Sequence, residues 1–146
     1  MGRMIFMGTP EFAVPSLAAL VAAGHDVCAV YTQPARPSGR GRKMSEPAVK
    51  RWADAGGLQV HQPATLRTPE AVAEIQDLHA EIIVVVAFAK LLQEAVVAGP
   101  PLGVLNLHPS LLPKYRGPTP IPASILAGDV ETGATVMQVD EGMDSG

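Results

Sequence analysis

The sequence predicts an α/β fold, an open and mostly parallel β-sheet flanked by helices. Three observations predict it. Short apolar runs alternate with stretches of helical periodicity, the pattern of successive βαβ units. Residues 82–87 are apolar throughout and rich in β-branched side chains, as in a central parallel strand covered on both faces. Residues 4–31 already read as strand, helix, strand.

Composition agrees. The chain has 146 residues, enough for one domain with a real core, and 47% of them are hydrophobic. Its net charge of −3 does not announce a polyanion partner, although it leaves room for a local basic patch. Cys28 is the only cysteine, so no intramolecular disulfide is possible, and it reads as a small buried hydrophobe. No apolar run approaches the roughly 20 residues that span a bilayer, and no signal-peptide pattern opens the chain. A cytoplasmic protein, away from membranes, is expected.

Taken in order, residues 4–7 form a buried first strand that ends at Gly8. Thr9 is expected to cap the next helix, with Pro10 in its first position and Glu11 at the positive end of its dipole. Phe12, Val14, Leu17, Leu20 and Val21 follow helical spacing and are expected to face the core, until Ala23-Gly24 ends the helix. The turn after Gly8 lacks G-x-G-x-x-G, so Gly8 reads as a tight turn before it reads as a nucleotide site. Residues 27–31 are the second strand. Residues 33–45 show neither helical nor strand periodicity and read as a loop. It holds Arg36, Arg40, Arg42 and Lys43 with no acid between them: either a solvated basic loop or a flexible arm that meets phosphates.

Residues 46–55 are expected to be helical, with Pro47 at the start and Gly56-Gly57 at the end. Residues 58–60 form a short third strand. Thr68-Pro69-Glu70 opens a helix whose inner face is Ala71, Val72, Ile75 and Leu78. After the central strand, Phe88-Ala89-Lys90 leave its carboxyl end. Residues 91–97 form a short helix stopped by Gly99-Pro100-Pro101. The next strand covers 103–108, a helix 119–127 and a sixth strand 134–139. Residues 140–146 form an acidic, glycine-containing loop.

The chemistry gathers at one strand end. Asn106 and His108 are two apart on a strand and share a face. They stand where the apolar run gives out, and open α/β sheets bind ligands outside the carboxyl ends of their strands. A carboxamide can steady an oxyanion, an imidazole can carry a proton near neutral pH, and Asp144 can orient that imidazole. This is equipment for acyl transfer. The pair could also be polar residues hydrogen-bonded to a loop. Ser110 could act as a nucleophile, but G-x-S-x-G is absent and a loop hydrogen-bonder is the simpler reading. His108, Asp140 and Asp144 could hold zinc, but no second histidine sits at ligand spacing. His25, His61 and His79 read as surface residues.

The spaced set Asn106-x-His108-x-Ser110-Leu111-Leu112-Pro113-x-Tyr115-Arg116-Gly117, with Gly128-Asp129-x-Glu131-Thr132-Gly133 and Asp144-x-Gly146, resembles the folate-dependent formyltransferases. Within them, Gly8-Thr9-Pro10-Glu11-Phe12-Ala13-Val14-Pro15 and Thr32-Gln33-Pro34-x-Arg36-Pro37-x-Gly39-Arg40-Gly41 are similar to the methionyl-tRNA formyltransferase branch. The resemblance covers essentially the whole chain. It implies a Rossmann-like formyltransferase domain that uses 10-formyltetrahydrofolate as donor, needs no metal, and formylates initiator methionyl-tRNA. By the family pattern Asn106, His108 and Asp144 are the catalytic trio. The folate would lie against Phe88, Ala89, Leu91 and Leu92, against Ser110, Leu111, Leu112 and Pro113, and against Asp140 and Gly142. Ala89, Lys90 and Gln93 depart from the family pattern in that wall. Arg36, Arg40, Arg42 and Lys43 would meet the tRNA. The resemblance further implies a monomer, and an N-terminal domain over 1–146 that stops short of its own C-terminus and lacks the family's C-terminal β-barrel. A small amine acceptor (glycinamide ribonucleotide or an amino sugar nucleotide) fits less well, because it has no use for a basic arm. A folate- or tRNA-binding fragment without turnover is the remaining alternative.

Overall fold

The computed structural model describes residues 2–38, 43–88, 92–108 and 135–138. Five strands run parallel: β1 (Arg3–Gly8), β2 (Asp26–Tyr31), β5 (Val60–His61), β6 (Ile82–Val86) and β7 (Val104–His108). A sixth, β8 (Thr135–Gln138), pairs antiparallel with β7. The order across the sheet is β5-β2-β1-β6-β7-β8. Helices α1 (Val14–Ala22) and α2 (Ala48–Ala55) cover one face, packing Leu17, Val49 and Ala53 against Phe6, Val30 and Val86. Helices α3 (Pro69–Asp77) and α4 (Glu94–Ala98) cover the other, packing Ile75 and Val96 against Ile5, Met7 and Ile83. Side chains alternate along a strand, so a strand between two helical layers must be apolar at every position. β6 shows this directly: Ile83 and Val85 join one core, and Val84 and Val86 the other.

The order of strands fixes where a ligand can bind. From β1 the chain works outward through β2 to β5. It then returns through α3 to β6, on the other side of β1, and works outward again to β7. The connections that leave β1 and β6 therefore part company, and the gap between their carboxyl ends is the topological switch point.

Several elements depart from expectation. Thr9 does not cap a helix. Its hydroxyl accepts from the Gln33 backbone N–H at 3.4 Å, and its carbonyl from that of Val49 at 3.2 Å. A 3₁₀ turn over Glu11–Ala13 leads into α1 instead. That tighter turn advances about 120° per residue against about 100°, so Phe12 falls out of phase with Leu17 and is 39% exposed. Val21, at the margin of the same face, is exposed as well. Residues 33–45 are not wholly irregular. β3 (Arg36–Ser38) and β4 (Lys43–Ser45) form an antiparallel ribbon, too short to show a period. α2 begins at Ala48, since Glu46 precedes a proline and is turned from helical dihedrals. The third strand, expected at 58–60, is shifted and shortened to Val60–His61, opposite Val30 and Tyr31, and α4 begins only at Glu94. The helix expected at 119–127 and the loop at 140–146 lie outside the described residues.

Candidate active site at the carboxyl edge of the sheet

Asn106 lies on β7 between Val85 of β6 and Met137 of β8, half-buried. Val104, two residues earlier, is buried in the core beneath α3 and α4, so Asn106 faces the same side. His108 ends the strand opposite Thr135. The register sets Asn106 in a rung that crosses the sheet through Val85, Met7, Tyr31 and His61. The loops beyond this rung are the exits of β1, β2, β5 and β6.

Two backbone features shape the switch point. Gly8 ends β1 with no room for a side chain. A Cβ there would stand 2.7 Å from the Val86 carbonyl oxygen and 2.9 Å from both the Ala13 Cβ and the Phe6 ring. Its φ is not among the positive ones, so glycine serves close approach here, not the tight turn expected. At the end of β6, Ala87 takes φ 53°, in the left-handed region that few non-glycine residues adopt. That turn carries Phe88 back into the core, where its ring is buried, and leaves its carbonyl to accept a hydrogen bond from the Gln33 side-chain amide at 2.8 Å. What Phe88 offers a ligand is therefore backbone and not its ring. Leu92 packs partly against the same core.

A polar cluster that the sequence did not announce sits at the β2–β5 side. The Tyr31 hydroxyl donates to Glu74 Oε1 at 2.7 Å, and His61 Nδ1 stands 2.9 Å from the same oxygen. The Tyr31 and His61 rings stack with centroids 4.8 Å apart. Burial, and then the Glu74 carboxylate, push the Tyr31 hydroxyl well above the usual phenol range. Cys28 is half-buried against the core, less enclosed than the buried hydrophobe expected, and burial raises its thiol. His79 is exposed, as expected, but His61 and His25 are not plain surface residues. Both are half-buried, and each has a buried ring nitrogen without a hydrogen-bond partner.

Of the basic residues, Arg36 stands opposite Ser45 and Lys43 opposite Ser38 on the β3–β4 ribbon, which springs from the exit of β2. Arg40 and Arg42 lie outside the described residues. So do Ala89, Leu91, Ser110, Leu111, Leu112, Pro113, Asp140, Gly142 and Asp144. Among the described residues no group of three His, Cys, Asp or Glu could hold a metal ion, and no helix is long and apolar enough to cross a membrane. A cavity of about 250 Å³ opens at the other end of the sheet, lined by Ile75, His79, Glu81 and Val96, and is no part of this edge.

Comparison with known proteins places this geometry. The chain is 54% identical over 144 residues to the methionyl-tRNA formyltransferase of Chloroflexus aggregans, and 55% to that of Thiobacillus denitrificans. Both matches cover 99% of this chain and 47% of the relative, so the chain spans about half the length of the curated relatives it matches. Among solved structures it is similar to phosphoribosylglycinamide formyltransferase from Bacillus halodurans, with a TM-score of 0.75 at 24% identity, over 99% of this chain and 75% of that one. It is also similar to a sugar N-formyltransferase from Shewanella, with a TM-score of 0.67 at 21% identity, over 100% and 54%. Those likenesses establish the Rossmann-like fold. The sequence profile of the formyl transferase family matches residues 2–146, and the chain belongs to that family.

Proposed function

We propose that this chain carries the catalytic core of an enzyme that moves the formyl group of 10-formyltetrahydrofolate to the α-amino group of methionine on initiator tRNA. The observation that carries the reading is Asn106: a half-buried carboxamide on the strand beside the switch point, two residues before a histidine that ends the strand. The identity with methionyl-tRNA formyltransferases, spread over 99% of the chain, supports the tRNA acceptor over a small amine.

The chemistry follows from the groups. The methionyl amine attacks the formyl carbon. The carbonyl oxygen gains the electron pair, and the Asn106 amide and the His108 imidazole steady that oxyanion. The C–N10 bond then breaks, the oxyanion collapses to the new formamide, and N10 takes a proton while the amine loses one. Asp144 holds His108 and helps relay that proton. The register leaves room for this. Gln138 pairs with Leu105, three residues and about 10 Å short of His108, whereas the six residues from Gln138 to Asp144 can span about 20 Å. The pterin lies against backbone after β6 and against the loop holding Asp140 and Gly142. Arg36, Arg40, Arg42 and Lys43 meet the phosphates of the acceptor end. The setting is the cytosol, the chain acts as a monomer, and no metal takes part.

The test is formyl transfer from 10-formyltetrahydrofolate to methionyl initiator tRNA, glycinamide ribonucleotide and an amino sugar nucleotide, with a His108→Ala control. Transfer to the tRNA alone, lost in the control, is the expected result. Transfer to a small amine would reassign the acceptor. Folate binding without transfer to any acceptor would make the chain a binding fragment.

A further inference from the structure

Gln33 is a buried polar residue, 5% exposed, at the point where β2 leaves the sheet. Its side-chain amide donates to the Phe88 carbonyl at 2.8 Å, across 55 residues of sequence, in a buried position. Its backbone N–H donates to the Thr9 hydroxyl at 3.4 Å. Its carbonyl accepts from the Gln62 side-chain amide at 3.0 Å. One residue thus joins the exits of β1, β2, β5 and β6, all at the carboxyl edge. Two further features make that junction more than packing. Phe88 directly follows the left-handed Ala87, so its carbonyl direction is set against backbone preference and needs holding. And Gln33 roots the β3–β4 ribbon, whose first basic residue, Arg36, is three positions on.

We infer that Gln33 is a positioning residue: its buried amide locks the backbone after β6 to the base of the basic ribbon, so that the folate wall and the tRNA arm hold one mutual geometry. This rests on the proposed function for what the two loops bind, while the lock itself rests on the hydrogen bonds alone. A buried carbonyl stripped of its donor keeps its desolvation cost, so losing the amide should release the loop and not be absorbed by it.

The experiment uses Gln33→Leu, which keeps volume without the donor, and Gln33→Glu, which keeps shape and gives a donor only when protonated. Amide hydrogen exchange and tetrahydrofolate binding are measured on the intact chain. In Gln33→Leu, exchange should rise together at Phe88 and on the β3–β4 ribbon, at Arg36, Ser38 and Lys43–Ser45, while Ile5 and Val84 stay protected, and the Kd for tetrahydrofolate should rise about tenfold. In Gln33→Glu, the binding defect relative to wild type should shrink as pH falls from 8 to 6, because a buried carboxyl protonates there and can donate to the Phe88 carbonyl. Exchange that rises throughout the sheet, or at one loop only, overturns the inference, as does a Gln33→Glu defect that ignores pH. If the wild type binds no tetrahydrofolate, the formyl-donor reading falls, and the exchange pattern alone decides the lock.

Discussion

Gly8→Ala tests the architecture of the site more sharply than any change to its chemistry. A methyl at Gly8 meets the Val86 carbonyl oxygen at 2.7 Å, the Ala13 Cβ at 2.9 Å and the Phe6 ring at 2.9 Å. To reach an ordinary contact of about 3.4 Å, the first of these must move by about 0.7 Å. It has little freedom to do so. Val86 is the register partner of Gly8 in the central β1–β6 pair, and Phe6 and Val86 are both fully buried. Overpacking a core costs about 1–3 kcal/mol, and a backbone carbonyl wedged between central strands belongs at the upper end. In a domain of this size about 3 kcal/mol lowers Tm by roughly 10 °C. Gly57→Ala is the matched control. Gly57 has φ +74° with nothing within 4 Å of the added methyl, so only backbone strain of about 1 kcal/mol is expected. Thermal unfolding followed by circular dichroism separates the two. A Gly8→Ala variant that melts within about 2 °C of wild type, or above Gly57→Ala, would refute the close-approach account of the switch point.

The site gives three more expectations. Asn106→Ala should lower formyl transfer by about 10²–10³ while tetrahydrofolate binding stays within a few-fold, the signature of a lost oxyanion donor. Arg36→Ala or Lys43→Ala should weaken tRNA binding and reduce the slope of log K against log salt by about one contact each, leaving folate binding alone. Tyr31→Phe should cost about 1 kcal/mol at pH 7 in a urea titration, from loss of the 2.7 Å bond to Glu74. The folded-state pKa of Tyr31 is raised, so its contribution is present below the unfolded value near 10 and is lost as pH climbs beyond it. Wild type should therefore lose stability above pH 10 more steeply than Tyr31→Phe, and parallel curves would count against the assignment.

The parts of this molecule that could be read from sequence are those whose physics is local. Residues 82–87 announce a central strand because cover on both faces forbids any polar position, and both cores do receive that strand. Thr68-Pro69-Glu70 announces a helix start, and the Thr68 hydroxyl does accept from the Ala71 N–H at 3.2 Å. Thr9-Pro10-Glu11 carries the same local signal, yet the Thr9 hydroxyl takes the Gln33 N–H instead. A hydroxyl's partner is chosen by what the fold brings near, and two like tripeptides part company at that step. Asn106 stands out as a candidate for a local reason too: a polar side chain ending an apolar strand needs an explanation.

The frame around that site was not visible, and the reason is equally physical. Gln33 holds Phe88 through a main-chain carbonyl, and every residue has one, so no side-chain pattern 55 residues away could mark the partner. Tyr31, Glu74 and His61 come together only because β2 and β5 pair with Tyr31 opposite His61. The direction of β8 is likewise absent from its apolar run, since a strand can pair either way with its neighbour and the connection decides. Reactive groups must be particular residue types and so leave a trace in sequence, whereas the scaffold that aims them is built largely from backbone. Asn106 could therefore be proposed as a site residue before the fold was known, but the lock at Gln33 between the loops beside it became recognisable only once β2 and β6 stood on either side of β1.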